Sequence, residues 1–235
     1  MKVVDRNWMQ LEAYLEHDDR IVLPLGSIEQ HAYLSLGVDT ILSERVAVEA
    51  AEPVGVPVMP ALPYGITPYF GAYPGSPTVS VGTYGALLRD VLDSLHGQGF
   101  RRFLLVNGHG GNGGGRPAAE EWAEAHADAQ LIWHDWWAGQ RTRAVIDAVD
   151  PSASHASWME NFPWTRLEGV EQPPGSKPAQ DIAPLRGGDP AEVRVLLGDG
   201  SLGGFYERPE EDVLRVWATG VEEVREVLEH GWRGG

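Results

Sequence analysis

Residues 101–112, RRFLLVNGHGGN, join a short apolar run to a glycine-rich turn that contains one histidine. The run Arg101–Val106 predicts a buried strand, and the turn Asn107–Asn112 follows it directly. The spacing of apolar residues predicts a helix next, over Pro117–Ala127. A strand that passes through such a turn into a helix is typical of α/β proteins, so this stretch indicates the fold class.

The same alternation of short apolar runs and longer periodic segments continues on both sides. Further strands are predicted over Ile21–Leu25, Val56–Met59, Thr78–Val81, Leu131–Trp133 and Val193–Leu197. Further helices are predicted over Ile41–Glu52, from an N-cap at Thr83 to about His96, and over Asp212–Glu229. The proline- and glycine-rich segment of residues 163–190 is expected to be a loop or flap. The pattern predicts one α/β domain over residues 1–235, a three-layer α/β/α sandwich around a mostly parallel sheet.

Composition restricts the function. The 235 residues include 34 acidic and 18 basic side chains, for a net charge of −16, so a nucleic-acid partner is not expected. No apolar stretch is long enough for a membrane helix, and the N-terminus lacks a signal-peptide pattern, so we expect a cytoplasmic protein. The chain has no cysteine, which excludes disulfides and thiolate metal sites. Any metal must therefore be held by histidine, aspartate and glutamate.

One candidate cluster follows the first predicted strand. Glu29 and His31 are two residues apart, so both side chains lie on one side of an extended segment, and Asp39 follows a loop long enough to fold back onto them. Two carboxylates and an imidazole suit Zn²⁺, Mn²⁺ or Fe²⁺. The alternative is a surface turn, with Asp39 as the N-cap of the following helix.

Two further clusters contain a histidine. The glycines around His109 would let the backbone approach a ligand closely, although such a turn could also cradle a phosphate at a helix N-terminus. His155 and Glu160 are five residues apart and would not share a helix face, so their spacing alone does not link them. Ligands of parallel sheets bind beyond the carboxyl ends of the strands, where the clusters of Glu29 and His109 are both predicted to lie.

In this order the three clusters resemble the motifs of the creatininase (creatinine amidohydrolase) family. A Gly-Ser-x-Glu-Gln-His motif, with an Asp ten or eleven residues after its Glu, matches Glu29, His31 and Asp39. A Gly-His-Gly-Gly-Asn motif matches 108–112, and a His-Ala-Gly motif, with a Glu five residues after its His, matches His155 and Glu160. Ser157 replaces the glycine of that last motif. The resemblance extends over residues 20 to 165.

The resemblance implies a hydrolase with two divalent metal ions per chain. Zinc is the metal expected first, with manganese and iron as alternatives. It would cleave a C–N bond of a small, non-peptide amide or cyclic amide through a hydroxide that bridges the metals. By the same resemblance, Glu29 and His109 bind one metal, His31 binds the other, and Asp39 bridges them. A second branch of the family has a further Glu ligand where this chain has Gly111, so Glu160 is expected to replace it.

His155 matches the catalytic histidine of the family, which assists proton transfer. Glu160 is expected to be a catalytic residue as well as a metal ligand. Residues expected to contact the substrate or to support the ligands are Gln30, Asn107, Gly110, Gly111, Asn112, Phe70, Tyr73 and Trp158. Phe70 stands where family members often carry a histidine, and the loop before Asp39 is shorter than in creatinine hydrolases. Both departures argue against creatinine as the substrate.

Two alternatives remain open, a non-catalytic metabolite-binding protein on the same fold and a creatininase-like peptidase or deformylase. The resemblance also implies a small-molecule partner and a homo-oligomer, with a hexamer as one form.

Overall fold

The computed structural model describes residues 1–185 and 187–233. Within them seven α-helices cover Trp8–Leu15 (α1), Val38–Ala51 (α2), Val81–Gly97 (α3), Arg116–Ala125 (α4), Gln140–Val149 (α5), Pro190–Leu197 (α6) and Glu210–His230 (α7). The strands are Arg20–Leu25 (β1), Arg102–Asn107 (β2), Gln130–Asp135 (β3), Ser176–Lys177 (β4) and Gly204–Phe205 (β5). None of these helices combines the length and the hydropathy that crossing a bilayer requires.

The main sheet determines where the candidate site lies. Its three parallel strands are ordered β1-β2-β3, and Leu25, Asn107 and Asp135 stand side by side at its carboxyl edge. Isolated parallel bridges join Val58 to Val22 of β1 and to Lys2. The loops that leave β1, β2 and β3 therefore emerge together at one edge.

Side chains of the strands alternate between two apolar layers, as period-2 strands require. Val22 and Leu104 belong to a cluster that contains the buried faces of α2 and α7. Ile21 and Phe103 belong to the cluster on the opposite face, with α3 and α4. A sheet covered by helices on both faces confirms the predicted three-layer α/β sandwich.

The strand predicted over Val193–Leu197 is wrong, because these residues end α6. The Asp189 carboxylate accepts a hydrogen bond from the Ala191 amide, and Pro190 occupies the first helical position. Val193 and Leu197, four residues apart, are buried on one face, whereas Val195 is 86% exposed. A five-residue apolar run fits a strand or one helix face, and the cap residues decide between them.

Two predictions near α3 are also wrong. Residues 78–81 form no strand, since the helix begins at Val81. Its N-cap is Ser80, whose hydroxyl accepts a hydrogen bond from the Thr83 amide, so Thr83 is the third helical residue rather than the cap. The strand predicted over Val56–Met59 is reduced to bridges at Val58.

Most of the predicted flap at residues 163–190 is irregular, as expected, and Arg186 within it lies outside the described residues. β4 pairs with β5 in an antiparallel ribbon, and Ala183–Leu185 forms a 3-10 turn. Ile182 packs in a small apolar cluster with Phe70 and Val193. The flap thus joins the main body beside the carboxyl edge of the sheet.

Candidate active site

Four side chains from the predicted clusters meet at the carboxyl edge of the sheet. Glu29 and His31 follow β1, and His109 follows β2. Asp39 comes from the first turn of α2, and all four residues are at most 4% exposed. Asp39 is the second residue of α2, which has Gly37 at its N-cap, so the alternative of Asp39 as a cap is wrong.

The side chains form two groups that share Asp39. In the first group, His109 Nδ1 lies 3.2 Å from Glu29 Oε1 and 3.0 Å from Asp39 Oδ2. In the second group, His31 Nε2 lies 3.1 Å from Asp39 Oδ1 and 3.8 Å from Glu160 Oε2. Each group offers three ligand atoms within 4.8 Å of one another. One oxygen of Asp39 faces each group, which is the arrangement of a bridging carboxylate.

Backbone carbonyls fix the orientation of both imidazoles. His31 Nδ1 lies 3.1 Å from the carbonyl oxygen of Glu29, and His109 Nε2 lies 3.0 Å from that of Ile66. A ring N–H donated to each carbonyl leaves the other ring nitrogen facing the carboxylates with its lone pair. Metal-binding histidines are commonly held in this way, by a hydrogen bond from the nitrogen that does not bind the metal.

The donor set fits divalent cations. Among the described residues, three buried atoms of the cluster lack a hydrogen-bond partner, namely Glu29 Oε2, His31 Nε2 and Asp39 Oδ2. Buried carboxylates this close together are costly unless positive charge compensates them. Oxygen and imidazole ligands suit Zn²⁺ or Mn²⁺. The same carboxylates would repel a phosphate, so the phosphate-cradle alternative is disfavoured.

The electrostatics of the cluster also favour bound positive charge. Burial tends to lower the pKa of His31, but Asp39, Glu160 and Glu29 outweigh it and raise the pKa to about 10. The pKa of His109 is raised for the same kind of reason, with Glu29 as the largest opposing charge. Burial raises the pKa of Glu160 to about 7. The negative charge that raises both histidine pKa values is the charge that bound cations would compensate.

A tight turn, not a helix, brings His155 and Glu160 together. Ala156 has a φ of 57°, which is uncommon for a residue other than glycine, and its amide donates to Glu160 Oε2 at 2.6 Å. A 3-10 turn over Trp158–Glu160 completes the reversal. Both side chains line the same cavity. The expectation from helical spacing, that the two residues are unrelated, is therefore wrong.

His155 is held against the cluster by aromatic and polar contacts. Its ring stacks on Phe70, with the centroids 4.8 Å apart and the planes at 22°. Its Nδ1 lies 3.6 Å from Glu29 Oε1. Burial lowers the pKa of His155 well below its usual value, and positive charge on His31 lowers it further. Both effects favour the neutral form of the ring.

Two asparagines brace the glycine-rich turn behind the candidate ligands. The Asn107 side chain donates to the His109 carbonyl at 2.8 Å and to Asp135 Oδ1 at 2.7 Å. The Asn112 side chain donates to the Gly26 carbonyl at 3.0 Å and to Asn107 Oδ1 at 3.1 Å. These bonds join the ends of all three parallel strands. The asparagines support the turn and do not line the cavity.

The surroundings of Gly111 leave no room for a glutamate side chain, which the second branch of the resembled family carries at this position. A Cβ at this position would lie 2.0 Å from the Ile66 carbonyl oxygen and 2.4 Å from His109 Nε2. Gly111 and Gly110 line the cavity with backbone only. The carboxylate of the second group comes from Glu160 instead.

A cavity of about 610 Å³ opens above the cluster. Its floor contains the carboxylates and histidines, and its walls are mainly apolar. The wall residues include Ile66, Pro68, Tyr69, Phe70, Trp137, Met159, Ile182 and Leu202. Arg143 lines the cavity as well, and its exposed guanidinium pairs with Asp147 on the same helix.

Several residues that were expected to contact the substrate do not line the cavity. Some residues that do line it were not expected from the sequence. Trp158 is fully buried in the core, and the Tyr73 hydroxyl donates to the Gly198 carbonyl at 3.4 Å, so neither lines the cavity. Gln30 lies behind His155. Trp137 follows the end of β3, a signal that could have identified it. No sequence signal indicates Arg143.

Comparison with known proteins gives a consistent result. The sequence profile of the creatininase family, described as creatinine amidohydrolase, matches residues 4–162. A creatinine amidohydrolase of Pseudomonas putida is 27% identical over 218 residues, which cover 81% of this chain and 83% of the relative. A 3-dehydro-scyllo-inosose hydrolase of Thermotoga maritima is 34% identical over 103 residues, or 43% of this chain and 33% of the relative.

Solved structures show the same fold. A tryptophan-to-alanine variant of a creatininase has a TM-score of 0.80 at 23% identity, with 98% of each chain covered. A glutamate-to-glutamine variant of a creatininase, in a Zn-Zn form, has a TM-score of 0.78 at 23% identity, covering 99% of this chain and 98% of the other. A manganese form of creatininase has a TM-score of 0.74 at 22% identity, with 99% of each chain covered.

Proposed function

The chain belongs to the creatininase family, and on this premise we propose that it is a hydrolase that uses two divalent cations to cleave a C–N bond of a small amide or cyclic amide. The observation that carries the proposal is the pair of ligand groups that share Asp39. Three of their buried atoms have no hydrogen-bond partner in the described structure, as expected for ligands prepared for cations.

The ligands divide between the two cations by geometry. Glu29, Asp39 and His109 would hold one cation, and His31, Asp39 and Glu160 would hold the other. The Zn-Zn and Mn forms of the structural relatives support zinc first and manganese second; iron is a further option that the same ligand types permit. Cations at this site would supply an acidified water as nucleophile and would polarise the substrate carbonyl.

His155 is the residue best placed to move a proton to the leaving nitrogen. It lines the cavity beside Glu29, where an imidazole can accept the proton that the nucleophile loses and then pass it to the departing nitrogen. Stacking on Phe70 limits rotation of the ring and excludes water from one of its faces. Amide cleavage requires protonation of the departing amine, because an amide anion is a very poor leaving group.

The cavity walls restrict the substrate. Their apolar surface favours an amide that carries an apolar or aromatic portion beside the reacting group. Phe70 adds to this surface where other family members often carry a polar residue. We therefore propose a substrate other than creatinine. The names of the two sequence relatives give different substrates, so similarity to them does not identify the substrate.

The test is a substrate screen with matched variants. Protein loaded with zinc or manganese is incubated with small amides, lactams, hydantoins, formamides and short peptides, and products are followed by mass spectrometry. We expect turnover by the natural protein, and we expect His155→Gln to retain its metal but lose at least 100-fold in kcat, since general acid–base catalysis contributes about that much or more.

Full activity of His155→Gln would contradict its proposed role. Tight metal binding without hydrolysis of any compound would favour the alternative of a metabolite-binding protein, and cleavage of peptides or formamides alone would favour a peptidase or deformylase.

A further inference from the structure

One charged residue of the cavity lies outside the three motifs and outside the two ligand groups. Arg143 is the fourth residue of α5 and lines the cavity. Among the lining residues that the structure describes, it is the only lysine or arginine. The carboxylates in that lining, Glu29, Asp39 and Glu160, all belong to the ligand groups. The positive charge of Arg143 is therefore the lining charge that the proposed cations leave unused.

The guanidinium of Arg143 has donors to spare for a ligand. Within the described part of the chain its partner is Asp147, one turn later in α5, which accepts from Nη2. The two side chains are 39% and 47% exposed, and exposed ion pairs of this kind are weak. Because a guanidinium can hold a carboxylate through two parallel N–H donors, a second carboxylate can bind here in competition with Asp147 or beside it.

The first turn of α5 is anchored from outside the helix. Gly139 stands at its N-cap without a capping side chain, and the Glu223 carboxylate of α7 takes that role. The carboxylate accepts from the Arg141 amide at 3.1 Å and from the Thr142 amide at 3.0 Å. A Cβ at Gly139 would collide with Glu223 Oε2, so the glycine leaves room for this cap. Arg143 is thus presented to the cavity from the fixed end of a helix.

The lining around these charges is mainly apolar. Trp137, in the segment between β3 and α5, adds aromatic surface, and Met159 and Ile182 add aliphatic surface. Pockets with apolar walls and a few placed polar groups use those groups to orient a small molecule. A ligand with an apolar body can therefore lie against the walls, with a carboxylate on Arg143 and its reacting carbonyl at the ligand groups.

We propose that Arg143 binds a carboxylate of the substrate, and that the protein acts on small amides or cyclic amides that carry a carboxylate on an apolar portion. The inference rests on the proposed function for the reaction, and on the cavity alone for the binding of the carboxylate. Creatinine carries no carboxylate, which agrees with the proposal of a different substrate.

Binding of compounds that cannot be hydrolysed tests the carboxylate site without a reaction. Phenylacetate, phenylpropionate and phenylbutyrate, each compared with the corresponding alcohol, are titrated into zinc-loaded protein by calorimetry. We expect at least one acid to bind about 10- to 100-fold more tightly than its alcohol, the usual effect of a hydrogen-bonded ion pair. We expect Arg143→Gln to abolish this preference and to leave the affinity for the alcohol unchanged.

Two further variants of α5 separate this role from a general effect of charge or of the ion pair. Arg141 pairs with Glu226 and does not line the cavity, so Arg141→Gln removes the same charge and should keep the preference for the acid. Asp147→Asn releases Arg143 from its partner and should bind the acid at least as tightly as the natural protein. A purely structural role of the Arg143–Asp147 pair predicts instead that Asp147→Asn weakens binding as much as Arg143→Gln.

Two results would overturn the proposal. Equal affinity for the acid in the natural protein and in Arg143→Gln would place the carboxylate elsewhere, on the metals for example. The absence of a preference for any of the acids over its alcohol in the natural protein would mean that the cavity has no carboxylate site.

Kinetics distinguish this inference from the proposed function, with N-acetylphenylalanine and its neutral carboxamide added to the substrate screen. On amides that carry a carboxylate we expect Arg143→Gln to raise KM about tenfold and to leave kcat within about threefold, since the contact lies away from the reacting group. Hydrolysis confined to neutral amides would leave the proposed function standing and contradict the carboxylate site. Selective binding of the acids through Arg143, without hydrolysis of any amide, would contradict the proposed function and leave this site established.

Discussion

The hydrogen bond between His109 Nε2 and the Ile66 carbonyl depends on the absence of a side chain at Gly111. The bond directs His109 Nδ1 towards Glu29 and Asp39. A Cβ at Gly111 would come within 2.4 Å of the ring nitrogen and within 2.0 Å of the carbonyl oxygen. At the scale of one residue, this glycine therefore leaves room for the hydrogen bond that orients His109, a candidate metal ligand.

We predict that Gly111→Ala weakens metal binding by about 10- to 100-fold, the usual effect of removing the hydrogen bond that orients a ligand. Gly113→Ala is the control, because a Cβ at Gly113 would meet nothing within 4 Å. Calorimetric titration of metal-free protein with Zn²⁺ measures the effect. Equal affinities in the two variants would show that the orientation of His109 does not matter.

The sequence indicates the candidate ligands better than their surroundings. Glu29, His31, Asp39 and His109 stand in motifs that the chain keeps in order, and the structure brings them together. Trp158, expected to contact the substrate, is buried in the core instead, because its direction depends on the tight turn at Ala156. Contacts that depend on long-range packing, as at Arg143, have no local signal.

At the scale of elements, one carboxylate joins the beginnings of β1 and β2. Asp18 Oδ2 lies 2.5 Å from an Arg20 guanidinium nitrogen, and Asp18 Oδ1 lies 3.1 Å from one of Arg102. Burial tends to raise the pKa of Asp18, but hydrogen bonds from Arg20 and the charge of Arg102 outweigh it and lower the pKa. The ion pairs hold the two strands at the edge opposite the site.

We predict that Asp18→Asn lowers the free energy of unfolding by about 1–2 kcal/mol at pH 7, the usual range for hydrogen bonds to a charged group. Because the pKa is lower in the folded state, this contribution is complete above the unfolded value of 3.8 and is lost as the pH falls through the folded value. Urea denaturation at pH 7 and pH 3 tests this, with exposed Glu12→Gln as control. A difference independent of pH would contradict the ion-pair explanation.

Elements with clear periodicity are predicted better than short ones. The core strands and the long α7 agree with the sequence to within about two residues. The segment Val193–Leu197 is misassigned because its apolar run fits either structure, and Asp189 and Pro190 carry the helix signal. Short segments thus depend on their caps more than on their hydrophobic pattern.

At the scale of the whole molecule, the site gathers negative charge from separate parts of the chain. Glu29, Asp39 and Glu160 come from three different segments and meet in a protein whose net charge is −16. Cations that bind only the folded state would offset their repulsion and stabilise the fold. The parallel sheet could be predicted from periodicity, and it explains why ends of different strands meet.

We predict that metal removal lowers the melting temperature by several degrees and that added Zn²⁺ or Mn²⁺ restores it, since ligand at 100 times Kd adds about 2.7 kcal/mol to stability. Scanning calorimetry before and after chelation measures the shift. Mg²⁺ at the same concentration is the control, because imidazole ligands suit it poorly. An unchanged melting temperature after complete removal would mean that the cluster does not bind cations tightly.

The most direct test of the two-cation site is the metal content of protein loaded with zinc and then dialysed. Mass spectrometry of the natural chain should find about two equivalents per chain, as two ligand groups require. Asp39→Ala removes the carboxylate that both groups share and should retain none. Less than one equivalent in the natural protein, or two in Asp39→Ala, would contradict the account.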